Sequence, residues 1–373
     1  VVDEVHIARK QYLDGSIPTG FQRTAIIGVS GSIPFEGKTI SIRQLSIEED
    51  SCREVQDSGH DMIFRADRLG MPLIETVTEP DMKTPDEVAR VCELIRQLNR
   101  SSGLVRIGSG AGRQDVNVSI EGGTRIEIKG VSSIKQIPVL VHNEALRQRA
   151  LLAIRDELKE REVTEESIID KSVDVTDLLA NTEYKFLGKA LNRGDVVAAV
   201  PMPGFEGLFV VQTQPRTPFF KEFSDRVRVI ACIDRLPNLL LSTDSLATLN
   251  SSEWEKIEKA TGVDNGTPVL LVWGNKQDVE TAVKEILIRA KDATLGIPEE
   301  TRQALSDGTN GFERILPGAS RMYPDTDLPP AVLTSERLNA IQNNQALPPW
   351  ERFKILKNDG VNDDLSQRLS INQ

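Results

Sequence analysis

The apolar and polar positions of the chain change their period several times along its length. Over residues 1–142, short alternating runs are separated by turn residues, among them Asp14-Gly15, Gly31, Gly37, Gly59, Gly70 and Gly122-Gly123, which predicts short antiparallel strands. One stretch departs from this. Thr84-Pro85-Asp86-Glu87, a cap residue followed by proline, precedes Val88, Val91, Leu94, Ile95 and Leu98 at helical spacing, so a helix covering the sheet is expected there. Over 143–192 the period becomes helical: Leu146, Ala150, Leu151, Ile154 and Leu158 form one stripe, and 175–191 predicts a second helix. Glu160, Glu162, Glu165 and Glu166 lie between them as a solvated acidic face, and the whole reads as a connector.

From 194 to 294, strand-like runs at 196–200, 208–212, 227–233 and 269–273 alternate with helical runs at 253–260 and 279–293. That order predicts a small α/β domain inserted into a larger chain. Residues 296–330, rich in Pro, Gly and turn formers, read as a long ordered loop, and 335–373 as short helices with a bend at Leu347-Pro348-Pro349-Trp350. The expected fold class is therefore α+β. A mainly antiparallel domain over 1–142 is completed by 295–335, with a helical connector at 143–193, the insert at 194–294 and the start of a helical part at 336–373.

A chain of 373 residues exceeds one ordinary core and implies two or three domains. No run approaches the roughly 18 apolar residues of a membrane span. With 45 basic and 56 acidic residues the net charge is -11, so any nucleic-acid contact must be confined to a local patch. Cys52, Cys92 and Cys232 are odd in number and far apart, which excludes a disulfide framework or a CxxC metal cage and favours a reducing cytoplasm. The chain opens in strand-like sequence without Met, as a segment of a longer protein would.

Three features carry candidate chemistry. In Leu45-Ser46-Ile47-Glu48-Glu49-Asp50 a strand ends in three adjacent carboxylates, which repel one another unless solvent, a cation or arginine compensates; an exposed turn is the plain alternative. In Met71-Pro72-Leu73-Ile74-Glu75-Thr76-Val77, a period of two sets Glu75 among Leu73 and Val77, so its carboxylate needs a partner. That partner is either a buried arginine or a divalent ion shared with Glu48 or Glu49. The hairpin of Arg113-Gln114-Asp115-Val116-Asn117-Val118-Ser119-Ile120 and Thr124-Arg125-Ile126-Glu127-Ile128-Lys129 puts Val116, Val118 and Ile120 on one face. Arg113, Asp115, Asn117 and Ser119 lie on the other, either as a solvated surface or as a polar binding floor. Between Arg100 and Lys135 six basic residues face three acidic ones, a local excess suited to phosphate. The glycines of Gly108-Ser109-Gly110-Ala111-Gly112 enter a strand and lack GK[ST], so no Walker or Rossmann loop is expected. His6, His60 and His142 are dispersed; only His6, near Glu4, is placed to face a site.

Taken with Gly20-Phe21-Gln22-Arg23-Thr24, Pro72-Leu73-Ile74-Glu75, Glu79-Pro80-Asp81 and Ser320-Arg321-Met322-Tyr323-Pro324-Asp325-Thr326-Asp327-Leu328-Pro329-Pro330, these motifs resemble the GatB/GatE family, the kinase subunits of tRNA-dependent amidotransferases. The block at 194–294 resembles the domain that the E branch shares with bacterial-type aspartyl-tRNA synthetases. The resemblance implies a cradle-shaped kinase domain, ATP and Mg2+ as cofactors, and Glu48, Glu49 and Glu75 as metal ligands. It implies Glu75, Arg113 and Lys129 as catalytic residues, and Arg113, Asp115, Asn117 and Ser119 as nucleotide contacts. It further implies phosphorylation of the glutamate carried by Glu-tRNA(Gln), then amidation with ammonia from an asparaginase-like partner of the D type, in a heterotetramer of two D-type and two E-type chains. The family's opening Glu-x-His strand is expected upstream of Val1, and Ser46 stands where the B branch has histidine. The competing class is a non-catalytic tRNA-binding scaffold or a synthetase-derived module.

Overall fold

The computed structural model describes all residues except 13–14, 109, 169, 244–248, 316–321 and 372–373, so Asp14, Ser109, Ser320 and Arg321 of the motifs above lie outside the described residues. The chain opens with β1 (Glu4–Val5) and β2 (Ile7–Gln11), then two long strands, β3 (Phe21–Phe35) and β4 (Lys38–Glu49). Glu36 and Gly37 between them have φ of 45° and 82°, the left-handed pair that a two-residue hairpin turn requires. Gly31, expected as a break, lies inside β3. A Cβ there would meet the Cβ of Ile42 at 3.3 Å, so the glycine admits a close strand approach, not a turn. An exposed hairpin, β5 (Arg53–Ser58) and β6 (Asp61–Arg65), precedes β7 (Pro72–Thr78).

Helix α1 (Pro85–Ser101) starts where its cap predicts, Thr84 Oγ1 accepting the Glu87 N–H at 3.2 Å, and it buries Val91 against Ile33, Phe35 and Ile40. Strands β8 (Gln114–Val118) and β9 (Ile126–Val131) form the expected hairpin with Val116, Val118, Ile126 and Ile128 buried. Helix α2 (Ile137–Glu160) then begins ahead of the expected boundary at 142/143, with Pro138 in its first turn.

Residues 175–191 do not make a second connector helix. They hold a 3-10 turn and the short α3 (Lys185–Leu191), preceded by β10 (Val173–Asp174), because Val175, Leu179, Leu187 and Ala190 are spent covering the next sheet. That block comprises β11 (Val196–Pro201), β12 (Gln212–Gln214), β13 (Thr217–Pro218), α4 (Phe220–Ile230), β14 (Leu239–Leu241), α5 (Ser251–Thr261), β15 (Val269–Gly274) and α6 (Lys276–Leu295). Its antiparallel sheet runs β10-β11-β15-β14, with α2, α4 and α6 packed on one face and α3 and α5 on the other. The strand expected at 227–233 is instead the end of α4. Phe219, Phe223 and Val227 recur every four residues as a fully buried stripe, and that burial overrides the β-branched run. At 208–211 there are turns, and the strand begins only at Gln212 with β12, since Phe205, Leu208 and Phe209 all enter the same core.

Nor do the described residues of 296–330 form one long loop. Strands β16 (Glu300–Ala304) and β17 (Asn310–Ile315) form a hairpin whose Asp307-Gly308 turn accounts for the loop-like composition. Parallel pairing of β16 with β9 makes the four-stranded sheet β17-β16-β9-β8. Strand β18 (Met322–Pro324) pairs with β2, giving the five-stranded sheet β18-β2-β3-β4-β7, and β19 (Ala331–Val332) pairs with β1. Three short helices close the chain: α7 (Ser335–Asn343), α8 (Pro349–Asn358) and α9 (Asp363–Ile371). The whole is mixed α and β with mostly antiparallel sheets.

One polar network joins these parts. Arg147 on α2, Arg289 on α6 and Arg302 on β16 are almost wholly buried with Glu144, Glu222 and Glu300. Arg147 donates twice to Glu222 on α4 at 2.8 Å, and both Arg147 and Arg302 donate to Glu300. Arg302 and Arg289 reach Glu222 at 3.3 and 3.5 Å.

Candidate functional site

Register decides which side chains meet. Ser46 lies opposite Glu75, Glu48 opposite Leu73, Thr24 opposite Glu48 and Lys10 opposite Gln22. Because side chains alternate along a strand, Lys10, Gln22, Thr24, Ser46, Glu48 and Glu75 share one face of the five-stranded sheet. There the Thr24 hydroxyl donates to Glu48 Oε1 at 3.2 Å, and the Gln22 amide reaches Oε2 at 3.4 Å. Burial raises the Glu75 carboxyl above its ordinary range; Glu48 adds to this, Lys10 opposes it, and Asp115 and Glu127 push it up further. The last two belong to the four-stranded sheet, so charges on its polar face are felt at Glu75. On that face Lys129 Nζ stands 3.9 Å from Glu127, and Asp115 accepts the Gly130 N–H at 3.2 Å. Glu313 of β17 is the third acid near Lys129, its carboxyl raised by burial.

The three acids expected on one metal are not brought together. Glu49 follows Glu48, so it points to the opposite face, where Arg23 lies 3.4 Å away. Arg23 and Arg9 both stack on Phe21 and both donate to Asp325 from the segment after β18. Arg9 chiefly, with Arg23, holds that carboxyl well below its usual range against the cost of burial. A cavity of about 240 Å³ opens beside them, lined by Phe21, Gln22, Arg23, Glu49 and Asp50 among others. Among the described residues no three His, Cys, Asp or Glu side chains are grouped to hold one metal.

A pair is nevertheless a fitting donor set for magnesium, which binds through one or two carboxylates and completes its shell with water and phosphate oxygens. Glu48 and Glu75 offer hard oxygen donors, and the pressure on Glu75 to stay protonated is what a nearby cation would relieve.

Of the expected nucleotide contacts, Asp115 and Asn117 project from the polar face of β8, whereas Arg113 and Ser119 flank the strand; all four are exposed. Pattern reading missed Lys10, Gln22, Thr24, Glu127 and Glu313. The signal for Glu127 was present, because it alternates with buried Ile126 and Ile128 just as Lys129 does. His6 is exposed and pairs with Glu4 at 3.2 Å. All three cysteines are free.

Residues 1–339 match a family model described as the GatB/GatE catalytic domain. The chain is 39% identical over 373 residues to the E subunit of glutamyl-tRNA(Gln) amidotransferase from Pyrococcus furiosus, covering 99% of this chain and 58% of that protein. It is 40% identical over 375 residues to the protein of the same description from Methanopyrus kandleri, and 37% identical over 378 residues to that from Sulfolobus acidocaldarius, again covering 58% of each. The chain thus spans a little under three fifths of the length of these curated relatives.

Proposed function

Since the chain belongs to the GatB/GatE family, we propose that it is part of the E-type component of a Glu-tRNA(Gln) amidotransferase, with the Glu48–Glu75 face as the centre that activates glutamate using ATP. The observation that carries this reading is the shared face of Glu48 and Glu75, with Lys10 beside them and Asp115 and Glu127, the latter paired with Lys129, close enough to act on the Glu75 carboxyl. Two carboxylates held against mutual repulsion are costly unless a cation and a phosphate chain use them.

In the proposed reaction a γ-carboxylate oxygen of tRNA-bound glutamate bonds to the terminal phosphorus of ATP as the bond to ADP breaks. Ammonia then bonds to the acyl carbon and phosphate departs with the bonding pair. Magnesium, when bound by Glu48 and Glu75, would supply charge neutralisation on the phosphates. Lys10 and Lys129 bring the ammonium charges that keep an anionic acceptor and an anionic donor together. Thr24 and Gln22 fix the Glu48 carboxylate by hydrogen bonds, so that its orientation is set before substrate arrives. Ammonia would come from an asparaginase-like partner of the D type, and the exposed Arg106, Arg113 and Arg125 would meet the tRNA end.

The test uses the full-length protein with its ammonia-producing partner and trapping of the acyl phosphate by hydroxylamine. Glu75→Gln should lower hydroxamate formation by roughly 100-fold or more, the scale of removing one electrostatic contact to a transition state, while Glu-tRNA(Gln) still binds. Unchanged hydroxamate formation would overturn the assignment.

A further inference from the structure

The β5–β6 hairpin is inserted between the two strands that bear the acid pair. It leaves β4 just after Glu49 and re-enters at Pro72 of β7, and its base is tied to both by Gly70 N–H to Asp50 O at 3.0 Å and Asp50 N–H to Met71 O at 2.7 Å. Arg68 with Asp50 and Arg53 with Asp67 brace the same base. Beyond it the hairpin has little packing of its own, every residue of β5 being exposed. Among the described residues, its tip finds partners in another part of the chain. The Gly59 N–H donates to Asp234, and His60 Nε2 donates to Asp278 Oδ1 at 3.0 Å. Both aspartates belong to the α/β block. Asp278 is nearly buried at the start of α6, where Asn275 caps the helix and also holds the second Asp278 oxygen.

We propose that this hairpin is a clasp, with His60 and Asp234 as positioning residues that couple the placement of the α/β block to the strands carrying Glu48 and Glu75. The coupling rests on the function proposed above; the clasp itself does not. The base passes movement to β4 and β7, and the tip takes its position from the block. Cys232 gives a further sign of the contact: burial raises its thiol, and Asp278, Asp234 and the hairpin's own Asp57 add to this. With two bonds at an exposed tip, the clasp is held weakly enough to open when a large ligand engages the block.

The experiment compares the full-length protein, assembled with its partner, with the variants His60→Ala plus Asp234→Ala and His60→Gln. All alter exposed side chains outside the acid pair. Amide hydrogen exchange of residues 53–65 should quicken by about fivefold or more in the double variant, the scale of losing one exposed charge-assisted bond. ATP hydrolysis stimulated by Glu-tRNA(Gln) should fall by a similar factor, with unstimulated hydrolysis unchanged. His60→Gln, which keeps a donor, should restore most of both. Hairpin exchange at the wild-type rate in the double variant would overturn the clasp, and faster exchange with full stimulation would overturn the coupling. A wild-type complex that hydrolyses no ATP in response to Glu-tRNA(Gln) would sink the proposed function and the coupling with it, while exchange would still decide the clasp.

Discussion

Glu222 is the hub of the buried network, and replacing it with alanine should be among the most damaging single changes in the α/β block. In the native fold three guanidinium groups, Arg147, Arg289 and Arg302, are balanced by Glu144, Glu222 and Glu300, all deep in the interior. Without Glu222 three buried cations face two anions, and Arg147 loses both of its 2.8 Å bonds to that carboxylate. Removing one partner of a buried pair costs about 3–5 kcal/mol, because the charge left behind stays desolvated. Against a total of about 5–15 kcal/mol, that is a large share of the stability of the fold.

The assay is urea unfolding followed by tryptophan fluorescence, since Trp254 and Trp273 are buried in the block. Glu222→Gln should lose nearly as much as Glu222→Ala, because its amide directs donors at donors, whereas Glu160→Ala on the solvated face should change stability by less than about 0.5 kcal/mol. Burial opposes ionisation of Glu222, but Arg147 and Arg302 outweigh it and hold its carboxyl well below the ordinary 4.5. A depressed folded pKa contributes stability that is complete above the unfolded value and is lost as pH falls through the folded one. Wild type should therefore weaken more steeply than Glu222→Ala on acidification below about pH 4.5. If Glu222→Ala unfolded within about 1 kcal/mol of wild type, with the same denaturant slope, the network would not be what ties the block to the rest of the chain.

Two further outcomes follow from perturbed groups. Glu75 has its folded pKa raised, chiefly by burial and then by Glu48, so its ionisation works against folding as pH rises above 4.5. Glu75→Gln should match or exceed wild-type stability at pH 7 in the absence of nucleotide, and a clear drop in its unfolding midpoint there would contradict this. Burial pushes the Cys92 thiol up to about 11, so at pH 8 only about one molecule in a thousand carries the reactive thiolate. Iodoacetamide should label it far more slowly than glutathione, and labelling at the glutathione rate would mean that α1 packs more loosely than its burial indicates.

The parts of this fold that are legible in the sequence are those where local pattern and tertiary packing agree. The α1 start is one, because the Thr84 hydroxyl and the Pro85 ring act on the adjacent backbone alone. The β8–β9 hairpin is another, where alternation matches burial residue by residue. Glu75 is legible as a problem, a carboxylate among apolar neighbours, but its company is set by register across four strands and by a second sheet. Lys10 and Glu127 could not be placed beside it from spacing. The 48/49 ambiguity has the same origin: adjacent acids look equivalent along the chain and face opposite ways in a sheet. Residues 227–233 mislead because a β-branched run ends a helix whose apolar stripe begins earlier, at Phe219. The buried charges are illegible for a different reason. Arg147 and Gln148 sit at positions of α2 that a solvated helix would also fill with polar residues; the arrival of α4 and β16 makes Arg147 interior, and that of the β8 end makes Gln148 so.

The α/β block is thus held to the rest of the chain in two physically different ways. At the Arg147–Glu222–Glu300–Arg302 junction the charges are out of water, so separating the parts would expose partners that cannot be satisfied singly, and the joint opens only with unfolding. At the hairpin tip the donors are solvated, and each bond can be exchanged for one to water at little cost. A body fixed at one end and lightly latched at the other can pivot about the fixed end. The hairpin that forms the latch is continuous with the strands bearing Glu48 and Glu75, so the segment free to move is the one next to the acids. It follows that substitutions at the buried junction should alter stability and leave the response of the site to ligands on the block intact in the fraction that folds. Substitutions at the hairpin tip should alter that response and leave stability alone. Urea midpoints and ligand-stimulated rates measured on the same variants separate the two, and a stability loss at the tip as large as at the junction would rule out the pivot.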